Sequence, residues 1–183
     1  ISNSWDADAN NVWIYIDKER NSLIIKDDGH GMTSEDFQNK FLKIGYSKRR
    51  DGLISTSRGR PFIGRKGIGK LALLSCSDKI SVLSKTKNNN EHVGGTIDNS
   101  ELDKAITDDL KPQEYKLDTI NYKKFNTHIH KHNHGTIIYF ENIKEGIKNN
   151  IDSLKKLIAL NFRFSLLDKS FNIWFGTEKL THV

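Results

Sequence analysis

The sequence predicts an α+β fold, one layer of mostly antiparallel strands with helices gathered on one face. Three observations carry this. Apolar, β-rich runs recur at 12–17, 23–28, 79–86 and 135–143. The first two are joined through Glu19-Arg20-Asn21, a connection short enough for a hairpin and therefore for antiparallel pairing. Stretches with helical spacing, at 67–77 and 149–161, do not alternate regularly with the strands, and neither an internal repeat nor a shift in composition divides the chain. A single domain over 1–183 follows.

Taken in order, residues 1–9 read as the end of a helix that begins upstream, closing at Ala7-Asp8-Ala9. The hairpin strands 12–17 and 23–28 come next. After Gly29-His30-Gly31, Thr33 stands as a helix N-cap with Asp36 at the capping-box position, and Phe37, Phe41, Leu42 and Ile44 follow at near-helical spacing. Residues 45–66 are rich in glycine, lysine and arginine without a sustained period, and a loop of that length in a compact domain is usually functional. A helix over 67–77 leads into the strand 79–86. Within 87–134, Asn88-Asn89-Asn90 and Gly94-Gly95 predict turns, 99–111 a short helix and 115–120 a strand. The strand 135–143, a helix over 149–161 and a terminal hairpin complete the chain. That hairpin pairs 171–175 with 178–181 and turns at Gly176-Thr177.

Composition narrows the classes. With 36% hydrophobic, 28% charged and 9% aromatic residues, the 183-residue chain lies in the ordinary globular range. One cysteine, Cys76, excludes a disulfide scaffold and argues for a reducing compartment, so a cytoplasmic location is expected. No apolar run approaches the ~20 residues that span a bilayer, so no membrane partner is expected. A net charge of +6 suits an anionic partner without naming it. The sole methionine is Met32, and the chain reads as an excerpt of a longer protein.

Four segments carry chemistry. Asp27-Asp28-Gly29-His30-Gly31-Met32 stands where an apolar strand ends. The strand delivers a carboxylate to its own end, and two glycines two apart let the backbone approach a flat ligand closely. A carboxylate so placed accepts from an exocyclic amine such as the adenine N6 group, a bond worth about 1.5–3 kcal/mol. Alone, the string equally describes a surface turn with solvated aspartates. Gly64-Arg65-Lys66-Gly67-Ile68-Gly69-Lys70 runs directly into the apolar Leu71-Ala72-Leu73-Leu74. Glycines opening a helix expose free N–H groups at the positive end of its dipole, a seat for phosphate, and Arg65, Lys66 and Lys70 add charge there. A flexible linker is the plainer alternative. The string also fits G-x-x-x-x-G-K of a P-loop, but Leu71 stands where Ser or Thr should hold magnesium, and 58–63 makes a poor core strand, which excludes that reading. The remaining two segments, Asn3-Ser4-Trp5-Asp6-Ala7 and Gly135-Thr136, carry little by themselves.

In this order and spacing the four segments resemble the GHKL superfamily, the ATPase fold shared by Hsp90, MutL, gyrase B, MORC proteins and sensor histidine kinases. The resemblance is to the Hsp90/MutL/MORC-like branch of bacterial type. Asn3, Asp6 and Ala7 match its N-x-x-D-A, and Asp27, Gly29 and Gly31 its D-x-G-x-G, with Met32 following as in Hsp90-like members. Gly64, Gly67 and Gly69 match G-x-x-G-x-G, and Gly135-Thr136 the late G-T strand. The match runs from Asn3 to about Phe175, with 87–134 matching nothing in the family pattern.

The resemblance implies a Bergerat-type two-layer sandwich that binds ATP and Mg²⁺. It implies that Asn3 holds the Mg²⁺ bridging the triphosphate, an ion that keeps several waters and needs few protein ligands. It places Asp6 and Ala7 beside the nucleotide. Asp27 would bind the adenine amine, supported by Thr136 through a water, with Gly29, Gly31 and Met32 around it. Gly64, Arg65, Lys66, Gly67, Ile68, Gly69 and Lys70 would cradle the phosphates. The basic loop 45–66 would be the ATP lid, its Gly45-Tyr46-Ser47-Lys48 resembling the family's G-x-S segment and bringing Ser47 and Lys48 near the nucleotide. The family's general base, a glutamate four residues before the asparagine, would precede Ile1, so the chain is expected to hold no catalytic residue of its own. The activity implied is slow ATP hydrolysis coupled to lid closure and homodimerisation, with DNA or protein as client and a defence role in bacteria. A histidine kinase catalytic domain is the rival of the same class, and a nucleic-acid-binding module in which the fold is a vestigial, non-hydrolysing platform is the rival from another class.

His128, His130, His132 and His134 alternate, which on a strand would set four imidazoles on one face and suit zinc or nickel. A solvated edge strand or loop is simpler, since no cysteine or carboxylate joins them. Cys76 reads as a small core residue, and Trp5, Trp13 and Trp174 as core or hairpin packing. Lys48, Arg49, Arg50, Arg58 and Arg60 read as lid residues that meet a triphosphate, +6 being modest for a DNA binder.

Overall fold

The structure, a computed structural model, describes residues 1–41, 54–64, 76–98, 119–163 and 167–181. The expected hairpin is present as β1 (Asn11–Asp17) and β2 (Ser22–Asp27), paired antiparallel from Val12↔Asp27 to Asp17↔Ser22. β3 (Ser77–Lys85), β4 (Val93–Asp98), β5 (Gly135–Ile143), β6 (Asn172–Phe175) and β7 (Glu178–Lys179) complete a seven-stranded sheet of order β4-β3-β5-β2-β1-β6-β7. Neighbours are antiparallel except β1 and β6, which run parallel. The α+β class and the mixed, mostly antiparallel sheet are as the sequence predicts.

Side-chain alternation sorts the sheet's two faces. Val12 and Ile14 of β1, Leu23 of β2, Val82 of β3 and Phe140 of β5 join the main core with Trp5, Phe37, Ile158 and Phe171. The intervening residues Ile24, Leu83 and Ile137 point the other way, as a period of two requires, and meet Ile120 and Phe125 in a second, smaller cluster. The main core is covered by α1 (Ser2–Asp6) and α5 (Ile151–Asn161), which supply Trp5, Ile158 and Ala159. Thr33 does cap a helix: its hydroxyl accepts from Asp36 N at 3.1 Å at the start of α2 (Ser34–Asp36), which continues as a π-helical turn over Phe37–Phe41. On the opposite face a 3₁₀ turn (Tyr122–Phe125) runs into α3 (Asn126–Ile129), while α4 (Glu145–Lys148) precedes α5.

Several boundaries differ from the sequence reading. Gly94 and Gly95 make no turn; they lie inside β4, where Gly94 has φ +150° and a Cβ would stand 1.8 Å from Val82 O. The pair is there because two strands approach closely, a use of glycine that composition cannot separate from a turn. Ser77 opens β3 rather than closing a helix. Residues 119 and 120 are not in a strand, and the four alternating histidines lie on α3 and the loop after it, so they share no strand face. The expected helix at 99–111, the strand residues 115–118 and the helix residues 67–75 lie outside the described residues.

Candidate functional site

The site begins at the end of α1. This short helix closes with Asp8 N bonded to Trp5 O and Ala9 N to Ser4 O, Asp8 taking the left-handed conformation at φ 55°. That turn sends the chain directly into β1 and leaves Ser4 and Asp6 buried beneath the helix while Asn3 stays exposed. Asp6 accepts from Ile63 N and Gly64 N, both at 3.0 Å. A Cβ on residue 64 would stand 2.5 Å from Asp6 Oδ2, so glycine is what permits the carboxylate to hold this main chain.

Asp27 lies at the centre. Its Oδ1 accepts from Gly29 N at 3.0 Å and from Thr136 N at 3.1 Å, and its Oδ2 accepts from Ser4 Oγ at 2.8 Å. Burial pushes its pKa above the ordinary carboxylate value, and these three donors pull against that shift. An ionised carboxylate offers about four lone-pair positions. With three used, one remains on Oδ2. Gly29 packs where a Cβ would meet Ala7 Cβ at 2.8 Å, and His30 N donates to Ala7 O at 2.9 Å, which seats the helix end against the loop. Gly31, at φ +71°, lies so close to β3 that a Cβ would stand 2.0 Å from Lys85 O.

Further groups hold this arrangement from behind. Ser84 Oγ accepts from Met32 N at 2.9 Å and bonds Gly135 O at 3.1 Å and Thr136 Oγ1 at 2.9 Å, tying the loop to the start of β5. His132 Nε2 is 2.7 Å from Asp27 O, and His134 Nδ1 is 2.6 Å from Gly29 O. His92 Nε2 stands 3.1 Å from His132 Nδ1, and burial lowers both imidazole pKa values to about 4.

Thus Ala7, Asp27, Gly29, Gly31, Met32 and Thr136, collected from three separate stretches of sequence, meet at one place, with Asp6 and Gly64 joined beside them. Thr136 touches Asp27 directly through its N–H, while its hydroxyl is engaged by Ser84. Ser47, Lys48, Arg65, Lys66, Gly67, Ile68, Gly69 and Lys70 lie outside the described residues, as do 45–53 of the expected lid. Within 54–64, Arg60 is buried rather than facing a ligand. It donates to Ala9 O at 2.6 Å and Ser170 Oγ at 2.8 Å and lies 4.7 Å from the Trp5 ring centroid. Arg58 is bonded to Asp8 O at 3.3 Å. Both arginines fasten the segment to the end of α1. Among the described residues no group of three or more His, Cys, Asp or Glu could hold a metal ion, which removes the four-histidine zinc arrangement.

Sequence reasoning missed Ser4, Ser84, His132 and His134. Ser4 sat inside a quoted motif without a role, and Ser84 in a strand gives no signal. The histidines stood out as a run, but their nearness to Gly135 was the useful clue: whatever precedes the start of β5 must lie against Asp27.

Residues 1–136 match the family described as histidine kinase-, DNA gyrase B- and HSP90-like ATPase. The chain belongs to that family, as the four ordered motifs and the sheet indicate. It is also 32% identical over 175 residues to a protein of Herpetosiphon aurantiacus described as a type II restriction enzyme, HgiDII. That alignment takes in 94% of this chain and 26% of the relative, so the chain spans about a quarter of the relative's length. No helix among the described residues is long and apolar enough to cross a membrane.

Proposed function

We propose that the chain binds ATP with Mg²⁺ at Asp27 and serves slow ATP hydrolysis, coupling nucleotide to lid closure and homodimerisation. The supporting observation is the single acceptor position left on the Asp27 carboxylate, held at a strand end by three donors and able to take one exocyclic N–H. Asn3, the exposed residue of α1, offers the hard oxygen that suits Mg²⁺, and Gly64 with the glycines and cations of 65–70 provides the phosphate seat. Mg²⁺, when bound, neutralises phosphate charge. Activation of the attacking water is assigned to a glutamate four residues before Asn3, and the lid to 45–66, with 54–64 as its anchored end.

Asp27→Asn tests this reading. Asn keeps the shape and the Oδ1 acceptor for Gly29 and Thr136, while its amide faces Ser4 Oγ, which can turn to accept. The open position becomes a donor facing a donor. ATP binding by calorimetry is expected to disappear while the thermal melt is retained; unchanged ATP affinity overturns the reading.

DNA is the client we favour. The likeness to HgiDII supports it, as does a row across β2, β1, β6 and β7 in which Lys26 lies 5.4 Å from the Trp13 ring and Lys179 6.0 Å from the Trp174 ring. Such a row offers stacking surfaces with adjacent charge. Salt-dependent DNA binding that weakens in Trp13→Ala and Lys179→Ala is expected; salt-independent or absent DNA binding favours a protein client.

A further inference from the structure

The histidines before Gly135 take no part in the nucleotide reading, yet one of them grips its central residue. The β2–β5 ladder ends at Lys26↔Ile137, so Asp27 lies one step beyond the last paired residue. Its carbonyl is taken instead by His132 Nε2 at 2.7 Å, from a residue only 5% exposed. A carbonyl can only accept, so His132 carries its proton on Nε2 and presents a bare Nδ1. That Nδ1 accepts from His92 Nε2–H at 3.1 Å, the two rings lying 5.5 Å apart and 19° from parallel. Gly135 serves the same atom: its φ is +115°, and a Cβ there would stand 2.0 Å from Asp27 O, where the ring must reach. One residue further on, Thr136 N holds the Asp27 carboxylate, and His134 holds Gly29 O. The segment 132–136 therefore holds the main chain and the side chain of Asp27 together.

We propose that His132, seated by His92, is a positioning residue for the nucleotide: it fixes the Asp27 main chain from behind so that the carboxylate keeps its open acceptor toward the base. This rests on the nucleotide reading above. Losing one hydrogen bond to a charged acceptor costs about ten- to a hundredfold in affinity. The contact requires a neutral His132, because His92 donates through Nε2–H in either of its protonation states. A protonated His132 would set two N–H donors facing each other across 3.1 Å. The charged groups around the pair are Lys26 and Asp28 at β2 and its end and Lys85 on β3, with the titratable His134 alongside, so added positive charge is further disfavoured by two lysines.

The test uses the full-length protein that carries this domain, labelled with ¹⁵N and titrated with Mg²⁺-ATP. Imidazole ¹⁵N spectra at pH 7 are expected to show His132 as the Nε2–H tautomer, still neutral at pH 5; an Nδ1–H tautomer overturns the proposal. His132→Gln, whose amide can still donate to Asp27 O, should bind ATP within about threefold of native, while His132→Leu should lose about tenfold or more. Native-like affinity in His132→Leu overturns the positioning role. Should that variant fail to fold, His92→Phe decides: it keeps the stacking but removes the donor to Nδ1, and is expected to weaken ATP binding about threefold or more and to raise the pH at which His132 titrates. No change in either overturns the proposal. If the native protein binds no ATP, the nucleotide reading fails and takes this proposal with it. If only Asp27→Asn loses ATP while the histidine variants bind normally, the positioning role alone fails.

Discussion

Asp27 is a carboxylate that burial drives toward the neutral acid and three donors hold toward the anion. Of those donors, only Ser4 Oγ comes from a side chain and can be deleted without moving the backbone. Ser4→Ala is expected to destabilise the fold by about 1.5–3 kcal/mol at neutral pH, the worth of a bond to a charged acceptor. Burial sets the folded pKa of Asp27 above its ordinary 3.8, so the folded carboxyl takes up its proton before the unfolded one does. The Ser4→Ala deficit should accordingly shrink as the pH falls through that raised value. Urea unfolding of both proteins between pH 7 and pH 4 measures it; a deficit that stays constant argues against an ionised Asp27.

At the scale of elements, the start of β5 is fixed by close approach. Gly135 combines a left-handed φ of +115° with a Cβ position 2.0 Å from Asp27 O. Gly135→Ala therefore meets both backbone strain and a clash with main chain that cannot rotate away, and should cost at least about 2 kcal/mol in urea unfolding. A second joint ties the loop 54–64 to α1 and to the chain before β6. There Arg60 donates to Ala9 O and Ser170 Oγ, faces Asp168 at 3.7 Å, and lies over the touching rings of Trp5 and Phe171. Arg60→Ala removes the donors and leaves the acceptors beneath a vacated volume. A loss of about 2–4 kcal/mol is expected, read as a lower urea midpoint.

For the whole molecule, pH should act through the histidine pair. Burial first, then neighbouring charge, lowers His92 and His132 from 6.5 to about 4 in the folded chain. Between those values the unfolded chain holds the protons and the folded chain does not, so acidification favours unfolding. The stability these two rings contribute is complete above about 6.5 and declines as the pH falls toward 4. Urea midpoints from pH 7 to pH 4.5 should fall more steeply in the native protein than in a His92→Phe, His132→Gln double variant; equal slopes contradict this. Nucleotide, bound as proposed, should act in the opposite direction. Mg²⁺-ATP at a hundred times its dissociation constant should raise stability by about 2.7 kcal/mol, visible as a higher melting temperature, and should leave Asp27→Asn unmoved.

By itself the sequence determined what local spacing can encode. Alternation marked β1, β2, β3 and β5 to within a few residues, Thr33 announced its cap, the glycines at 29, 31 and 135 fell where backbones approach closely, and Gly64 fell where a carboxylate reaches the main chain. The ordered motifs were enough to name the family and to single out Asp27. Apart from Thr136, which the family pattern set beside Asp27, the partners that only the topology brings near stayed hidden: Ser4 at 23 residues from Asp27, His132 at 105, and Arg60 at 110 from Ser170. A buried histidine and a metal-seeking one look alike as letters, as do a lid arginine and a pinned one. Burial and hydrogen-bond partners distinguish them, and both exist only once the sheet has assembled in the order β4-β3-β5-β2-β1-β6-β7 and set β5 beside the end of β2.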